Sequence, residues 1–302
     1  MQFKRVKRRV DGVLLLDKPI GISSNSALQK AKILYQAAKA GHTGNLDPVA
    51  TGLLPLCFGE ATKFSHYLLN ADKTYRAEFT LGQTSTTGDS EGELTPPIAV
   101  AVSQSDIDAV LQRFLGEISQ IPPMYSALKF QGKALYEYAR KGIEIERQPR
   151  QVVIYSLDQE SFDGVRLRIT VKCSKGTYIR VLGEDIGRAL GCGAYMSALR
   201  RTVTSPFVIA DAVTIDQLGE MDMAQRDAAL MPADVLLGEL PAIVLDDDSA
   251  FYLRRGNPVW LPRQVMSGVA RLYDSRNLFL GVGEMLDDGK IAPRRLVNHP
   301  DN

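Results

Sequence analysis

The order of hydrophobic and polar residues along the chain predicts a mixture of helices and strands. Apolar runs such as GVLLL at 12–16 are typical of buried strands, and alternation, as in TYRAEFTL at 74–81, is typical of strands with one solvated face. Apolar residues three and four apart predict amphipathic helices, the first capped by Ser24 or Asn25. The expected elements are helices over about 26–40, 104–115 and 183–190, and strands over 12–16, 74–81, 151–157 and 165–173.

Two Gly-rich segments and a change of composition organise the rest of the chain. Residues 41–52 and 82–98 are rich in glycine and small polar residues, so they predict loops, the second of them exposed. After Pro206 the chain becomes acidic, with short helical pieces over 207–240. Beyond these, short β-type runs alternate with turns, which indicates a compact β-rich module that starts near residue 241.

Composition limits the class of protein. The chain has 302 residues, of which 45% are hydrophobic and 24% charged, close to the globular average, which argues against a disordered, collagen-like or coiled-coil chain. Its three cysteines (Cys57, Cys173 and Cys192) form no CxxC pair and cannot build a disulfide framework, which fits a reducing cytosol. No apolar run approaches about 20 residues, so we expect no membrane span.

Charge is distributed unevenly along the chain. The net charge of +1 argues at first against a polyanionic partner, but it combines +7 over residues 1–206, −9 over 207–250 and +3 over 251–302. Five basic residues and no acid lie in the first ten positions, namely Lys4, Arg5, Lys7, Arg8 and Arg9. This terminus is either a nucleic-acid arm or a solubilising tail.

The loop at 41–48 (GHTGNLDP) concentrates residues with special backbone preferences. Two glycines permit tight geometry, and Pro48 biases Asp47 away from a helical conformation. A lone acid before proline is most often a turn residue. The loop lacks the GKS/T ending of a phosphate-binding loop, no GxSxG elbow accompanies the three histidines, and no metal-ligand spacing is present.

Tyrosines stand beside lysines and arginines at two predicted strand ends and in one long segment. Tyr75-Arg76 opens one strand, and the segment CSKGTYIR at 173–180 follows another. Such pairs suit stacking on unpaired bases and gripping phosphate, although a half-buried tyrosine with a snorkelling arginine is the simpler interpretation. The segment 122–150 interleaves three tyrosines with six basic residues, and an ordinary solvated helix and loop is its alternative. These residues leave both a cytosolic enzyme and an RNA-binding protein open.

Several of these segments together resemble the TruB family of bacterial tRNA pseudouridine synthases, which isomerise uridine 55 in the T arm. The matching stretches are GVLLLDKPIGISSN (12–25), GHTGNLDPVATGLLPLCFGEATKF (41–64), DKTYR (72–76), IPPMYSALKFQGKALYEYARKG (121–142), CSKGTYIR (173–180), GCGAY with ALRR (191–201) and GKIAPRRLV (289–297). They occur in family order over most of the chain. Asn45 stands where a small residue is commoner, and the acidic segment 207–250 matches little.

The resemblance implies an α+β protein with the pseudouridine synthase fold, in which a mostly antiparallel central sheet carries the cleft. Residues 1–240 would form the catalytic domain, with a thumb-like insertion at about 121–150 that clamps the RNA loop. Residues 241–302 would form a small β-rich PUA-like RNA-binding domain.

The resemblance also implies three catalytic residues. Asp47 matches the catalytic aspartate of a reaction that breaks the C1′–N1 bond, turns the base and joins C1′ to C5, and a carboxylate can stabilise or trap positive character at C1′. A covalent sugar adduct and a glycal-type route, in which Asp47 deprotonates C2′, are both open. Tyr75 matches the tyrosine that stacks on the target base and helps to deprotonate C5. Arg180 matches the arginine that pairs with the aspartate and keeps it ionised.

Four further residues match substrate-binding positions of the family. Tyr178 and Leu199 would line the uracil pocket, and His42 would insert into the T loop as the target nucleotide is flipped out. Lys18 would contribute to the floor of the cleft or contact phosphate.

The same resemblance implies the partners. We expect the T-arm stem-loop of tRNA as substrate, no cofactor, no metal, no obligate protein partner, no membrane association, and a cytoplasmic monomer. A second hypothesis is an RNA-binding or tRNA-folding protein in which turnover is secondary. A third, a hydrolase of a small glycoside, is disfavoured because no second carboxylate motif accompanies Asp47.

Overall fold

The structure, a computed structural model, describes residues 7–261 and 267–299. The strands in these ranges are β1 (Gly12–Lys18), β2 (Ala40–His42), β3 (Ala50–Phe58), β4 (Lys73–Leu81), β5 (Gly116–Gln120), β6 (Lys129–Phe130), β7 (Lys133–Ala134), β8 (Arg150–Phe162), β9 (Arg166–Cys173), β10 (Ala194–Thr204), β11 (Phe207–Val208), β12 (Val213–Thr214), β13 (Ala242–Val244), β14 (Val259–Trp260), β15 (Val269–Tyr273), β16 (Phe279–Met285) and β17 (Lys290–Leu296). The α-helices are α1 (Ser24–Leu34), α2 (Ser65–Leu69), α3 (Gln104–Gln112), α4 (Leu135–Ala139), α5 (Ile179–Ala189), α6 (Ile215–Glu220), α7 (Met223–Ala228) and α8 (Asp247–Arg254). Short 3₁₀ turns lie at Gly59–Lys63, Ile209–Asp211 and Ala233–Leu237.

A central sheet dominates the fold. Its strands follow the order β12-β1-β3-β10-β4-β9-β8-β5, with β2 paired to β3 and β11 to β10. Only two neighbouring pairs, β12–β1 and β3–β10, are parallel. The expected α+β fold with a mostly antiparallel sheet is therefore confirmed.

Strand β3 begins inside the segment predicted as a loop. It starts at Ala50, so residues 50–52 pair with β10 instead of continuing the turn. Gly52 makes this pairing possible, because its φ is +105° and a Cβ there would lie 2.3 Å from the carbonyl oxygen of Arg201. Two backbones therefore approach at a point that no other residue type could occupy.

Helix α1 is shorter than its apolar spacing predicts. It ends at Leu34, because Gln36 takes a left-handed φ of 51° and the N–H groups of Gln36 and Ala37 close on Ile33 and Lys32 as in a Schellman cap. The cap at the other end is Ser23, which accepts from the Ser26 N–H, rather than Ser24 or Asn25. Ser24 is left free for another contact.

Other predicted boundaries shift in the same way. Helix α5 starts at Ile179, four residues before the predicted start, and β8 extends to Phe162. Helix α3 ends at Gln112 rather than 115, whereas β10 and β5 were not predicted at all.

The segment 82–98 is not the uniformly exposed loop predicted from its composition. Ser85 and Asp89 are buried, and the loop folds on itself through hydrogen bonds from Ser85 Oγ to the Asp89 carbonyl and from Thr87 Oγ1 to the Asp89 carboxylate. Small polar residues here satisfy each other instead of water, so their composition misleads about burial.

A β6–β7 hairpin and α4 form the core of the expected thumb-like segment. Its two-residue turn, Gln131-Gly132, has positive φ at both positions, as a tight hairpin requires. Aromatic residues stay exposed on it, with the Arg140 guanidinium 5.3 Å from the ring centroid of Tyr136.

The C-terminal module is a five-stranded sheet in the order β13-β15-β16-β17-β14, with α8 packed beside it. It shares a second apolar cluster with the central domain, in which Phe64 meets Phe279 at 5.5 Å between ring centroids. Val282 of the module and Leu236 belong to the same cluster. Polar contacts reinforce this junction, since Glu60 accepts from the N–H of Asn298.

Part of the basic terminus is paired within the chain. Arg8 forms a forked ion pair with Asp227 of the acidic segment, and Arg9 pairs with Asp11. Lys4 and Arg5 lie outside the described residues. Within the described part of the chain, no helix is long and apolar enough to cross a membrane.

Candidate active site

The loop between β2 and β3 carries Asp47 and is fixed to the body of the protein on several sides. The Ser24 hydroxyl accepts from the Leu46 N–H at 2.7 Å and donates to the Leu46 carbonyl at 3.0 Å. Pro48 accepts from the Gly21 N–H at 2.8 Å. Because these contacts bracket Asp47, its backbone position is set before any substrate is present.

Asp47 faces a buried arginine. Its Oδ2 atom lies 3.2 Å from Nη2 of Arg180, and the side chain of Asp47 is 39% exposed whereas that of Arg180 is 6% exposed. Burial raises the pKa of Asp47, and the Arg180 charge opposes that rise. The site thus presents an accessible carboxylate backed by a cation on its protein side.

Arg180 has three further partners. It lies at the start of α5, and its guanidinium donates to the carbonyls of Thr87 at 2.9 Å and Tyr125 at 2.7 Å. Its Nη1 atom also lies 3.3 Å from Oδ2 of Asp89, which is almost fully buried. One side chain therefore joins the Asp47 loop, the 85–91 loop and the thumb-like segment.

Asp89 was missed by the sequence reasoning, which found no second carboxylate near Asp47. Its contact with Arg180 spans 91 positions of chain and follows no motif spacing. Its burial leaves it as a counter-ion for Arg180 rather than a second open carboxylate.

Tyr75 and Leu199 lie on the adjacent strands β4 and β10, near Asp47. Tyr75 on β4 is half-buried, and burial raises the pKa of its phenol. Leu199 on β10 is buried and pairs with Ala50 of β3 and Ala77 of β4. The apolar surface they offer is continuous with the main core.

Tyr178 immediately precedes α5. The side chain of Gln120 holds its backbone at both ends, accepting from its N–H at 3.0 Å and donating to its carbonyl at 3.3 Å. Burial raises the pKa of the Tyr178 phenol, which feels the charges of both Arg180 and Asp47. Gln120, which is buried and was not singled out from the sequence, thus positions Tyr178.

Lys18 is completely buried at the end of β1. Its ammonium donates to the carbonyls of Pro19 at 2.9 Å and Ile22 at 2.7 Å, and burial lowers its pKa to about 8. Of the two roles considered, a side chain with no exposed surface fits the floor of the cleft and does not fit contact with phosphate.

His42 ends β2, at the start of the loop that carries Asp47. Its Nδ1 atom is buried without a hydrogen-bond partner, and burial lowers the pKa of the imidazole. A neutral, half-buried ring is suited to stacking. Within the described residues, no hydrogen bond or ion pair joins it to Asp47.

The arrangement can stabilise positive charge that develops next to Asp47 while a planar ring packs against tyrosine. Among residues 7–261 and 267–299, no three His, Cys, Asp or Glu side chains group as metal ligands. Of the predicted residues, Arg180 contacts Asp47 directly, and Lys18, Tyr75 and Tyr178 lie close enough for the charge of Asp47 to act on them. Leu199 pairs with Ala50 just after the loop that carries Asp47, and His42 lies at the start of that loop.

Comparisons with known proteins cover nearly the whole chain. Residues 32–179 match the family profile "TruB family pseudouridylate synthase (N terminal domain)", residues 180–240 match "tRNA pseudouridylate synthase B C-terminal domain", and residues 241–297 match "Pseudouridine synthase II TruB, C-terminal". The chain is 60% identical over 297 residues to tRNA pseudouridine synthase B of Methylobacillus flagellatus, with 98% of both chains covered. It is 54% identical over 301 residues to that of Dechloromonas aromatica, covering 100% of both.

Solved structures show the same fold. In the crystal structure of the archaeal box H/ACA sRNP Nop10–Cbf5 complex, one chain superposes with a TM-score of 0.72 at 24% identity. The match covers 96% of this chain and 87% of that one.

Proposed function

The chain belongs to the TruB family of pseudouridylate synthases, and we propose on this premise that it isomerises uridine 55 in the T arm of tRNA to pseudouridine. The observation that carries the assignment of chemistry is the half-exposed Asp47 carboxylate 3.2 Å from the buried guanidinium of Arg180. The identity with proteins named tRNA pseudouridine synthase B supports tRNA as the substrate class.

In the proposed reaction the C1′–N1 bond breaks with its electron pair going to N1, and Asp47 stabilises the positive character left at C1′. The base turns, C5 bonds to C1′, the C5 proton departs and N1 gains a proton, so the product is an isomer of the substrate. Asp47 serves either as the group that bonds C1′ or as the base that removes the C2′ proton. Arg180 favours the ionised carboxylate that both routes need.

The surrounding residues suit a flipped-out pyrimidine. Tyr75 is proposed to stack on the target base and to help remove the C5 proton, while Tyr178 and Leu199 line the uracil pocket above the Lys18 floor. His42 is proposed to fill the space that the base leaves in the T loop, which offsets part of an unstacking cost of about a few kcal/mol. The proximity of Lys18, Tyr75 and Tyr178 to the Asp47 charge, and the pairing of Leu199 with Ala50 after the Asp47 loop, support this assignment.

For the partners, we propose the T-arm stem-loop of tRNA as the only obligate one. The chain would act as a cytoplasmic monomer that needs neither cofactor nor metal, as the family resemblance implies. Light scattering with and without tRNA, and turnover in the presence of a chelator, test these points; a stable dimer or a loss of turnover on chelation would contradict them.

The test of the function is turnover of an unmodified T-arm stem-loop, with pseudouridine mapped chemically. Wild type should convert the position that corresponds to uridine 55, Asp47→Asn should not, and Asp163→Asn should match wild type. Asp163 is the control because it is an exposed aspartate in the β8–β9 turn, at the end of the sheet away from Tyr75. No product from wild type, or equal product from Asp47→Asn, would overturn the proposal.

A second function, binding and refolding of tRNA without turnover, is favoured by one observation on the C-terminal module. Trp260 and Phe251 are exposed, with the Lys290 ammonium 4.9 Å and the Arg255 guanidinium 3.4 Å from their ring centroids. Exposed aromatic rings beside cations are a platform for unpaired bases. If this activity exists, Asp47→Asn should bind and refold tRNA as wild type does.

A further inference from the structure

Arg201 on β10 is a buried arginine that contacts the loop carrying Asp47. Only 2% of it is exposed, and no carboxylate of the described residues lies within ion-pair distance of its guanidinium. Burying a charge without a counter-ion is costly, so such groups are concentrated where they serve a site. Its neighbour Arg200 differs, because it points to the other face of the sheet and forms a forked pair with Asp17 at 2.6 and 3.1 Å.

The hydrogen bonds of Arg201 are directed at the loop that carries Asp47. Nε donates to the Leu53 carbonyl at 2.7 Å, and Nη1 donates to the Asn45 carbonyl at 3.3 Å. These two acceptors lie on either side of Asp47 in the chain, one in the loop and one in β3. Arg201 therefore holds the same stretch of chain that Ser24 fixes through Leu46.

The register of the sheet also places Arg201 beside the aromatic side of the site. Arg201 lies opposite Tyr75 in the β10–β4 pair, and a register irregularity follows directly after it. Residues opposite each other in antiparallel strands project to the same face. Its charge opposes the rise that burial causes in the pKa of Tyr75 and adds to the fall that burial causes in the pKa of His42.

We propose that Arg201 is a positioning residue of the isomerisation. Its side chain fixes the backbone on both sides of Asp47, and its positive charge acts on Tyr75 and His42. The inference rests on the proposed function, because it assigns Arg201 a role in that reaction. It follows from the two hydrogen bonds to Asn45 and Leu53, from the pairing with Tyr75, and from the lack of a neighbouring carboxylate.

The experiment compares Arg201→Lys, Arg201→Met and the matched control Arg200→Lys in four measurements. These are the single-turnover rate constant on the T-arm stem-loop, the dissociation constant of that RNA, the melting temperature, and the titration of His42 by proton NMR. The chain has only three histidines, so the His42 signal can be assigned with His66 and His299 variants.

We expect both Arg201 variants to lower the rate constant by on the order of 100-fold, because a small displacement of a reacting group has an effect of that size. The dissociation constant should stay unchanged, and Arg200→Lys should react like wild type. Arg201→Met should raise the pKa of His42, since a cation is lost, whereas Arg201→Lys should leave it in place.

Three results would contradict this picture in different ways. An Arg201→Lys protein as active as Arg200→Lys would overturn the inference alone. Melting temperature and affinity that fall in parallel with the rate would assign Arg201 to the core and also overturn it. A wild-type chain that forms no product would overturn the proposed function first, and the inference with it.

Discussion

The hydroxyl of Ser24 and the peptide groups of Leu46 form a reciprocal pair of hydrogen bonds across 22 positions of chain. Ser24 is buried, so no water can replace this contact. The pair sets the loop next to Asp47 from the N-terminal side, and its effect can be separated from that of the helix cap one residue earlier.

Ser24→Ala should therefore slow turnover by roughly 10- to 100-fold and lower stability by about 1–3 kcal/mol, because the N–H and carbonyl of Leu46 lose their partner. The matched control is Ser23→Ala, which removes the N-cap of α1 and should cost about 1 kcal/mol without changing the rate constant of the folded protein. Denaturant unfolding and single-turnover kinetics measure the two effects. Equal rate constants for both variants would contradict the role given to Ser24.

Arg180→Met should move the acid limb of the activity profile to higher pH. The reaction needs the Asp47 carboxylate, so activity is lost as the pH falls through the pKa of Asp47; that pKa is raised by burial and held down by Arg180. Without the guanidinium it rises further, and we expect a rate loss of roughly 100-fold or more at neutral pH.

The pH profile of single turnover checks this, with Arg188→Lys as control. Arg188 lies on the same helix with an exposed side chain that pairs with Asp185. Arg180→Lys keeps the charge and should keep the position of the limb, although it loses the fork to Asp47 and Asp89. A limb that stays in place in Arg180→Met would mean that this arginine does not act on the ionisation of Asp47.

Asp47→Asn should raise the melting temperature at neutral pH. Because the folded-state pKa of Asp47 is raised, its protonated form is favoured by folding, and the stability it contributes is present at acid pH and lost as the pH rises through that value. The variant removes this loss, so its advantage should vanish in acid.

Asp163→Asn is the control of opposite sign. The backbone N–H groups of Val165 and Arg166 lower the pKa of Asp163, so its contribution is present at neutral pH and disappears in acid. Melting curves of both variants from acid to neutral pH should diverge in opposite directions. If the melting temperatures of the two variants changed with pH in the same direction, burial would not raise the pKa of Asp47.

Trp260→Ala should weaken binding of full-length tRNA, because loss of one stacking platform costs roughly 1–3 kcal/mol per base. Affinity and turnover on the isolated T-arm stem-loop should stay unchanged. Val244→Ala, which removes an exposed apolar side chain elsewhere on the C-terminal module, is the control. If Trp260→Ala weakened binding of tRNA and of the stem-loop equally, Trp260 would not contact a part of tRNA beyond the T arm.

The sequence predicted elements wherever local periodicity and burial agree. The apolar run of β1 and the alternation of β4 predicted strands correctly, because the residues on each face of these strands are similarly buried. The end of α1 was misplaced because Gln36, not glycine, adopts the left-handed cap conformation.

The same distinction separates the site residues that could be predicted from those that could not. Asp47, Tyr75 and Arg180 lie in stretches that are recognisable as motifs, so their proximity could be anticipated. Ser24 looked like one of several possible helix caps, and Asp89 lay in a segment whose composition reads as solvent-exposed. The contacts of Ser24 with Leu46 and of Asp89 with Arg180 depend on tertiary packing, and no sequence pattern predicts them.

The apolar cluster in which Phe64 meets Phe279 has a consequence for how the chain loses its structure. Two units that share side chains of one core cannot melt separately without exposing that core to water. The central sheet and the C-terminal module should therefore unfold in a single cooperative calorimetric transition, and Phe279→Ala should split that transition into two.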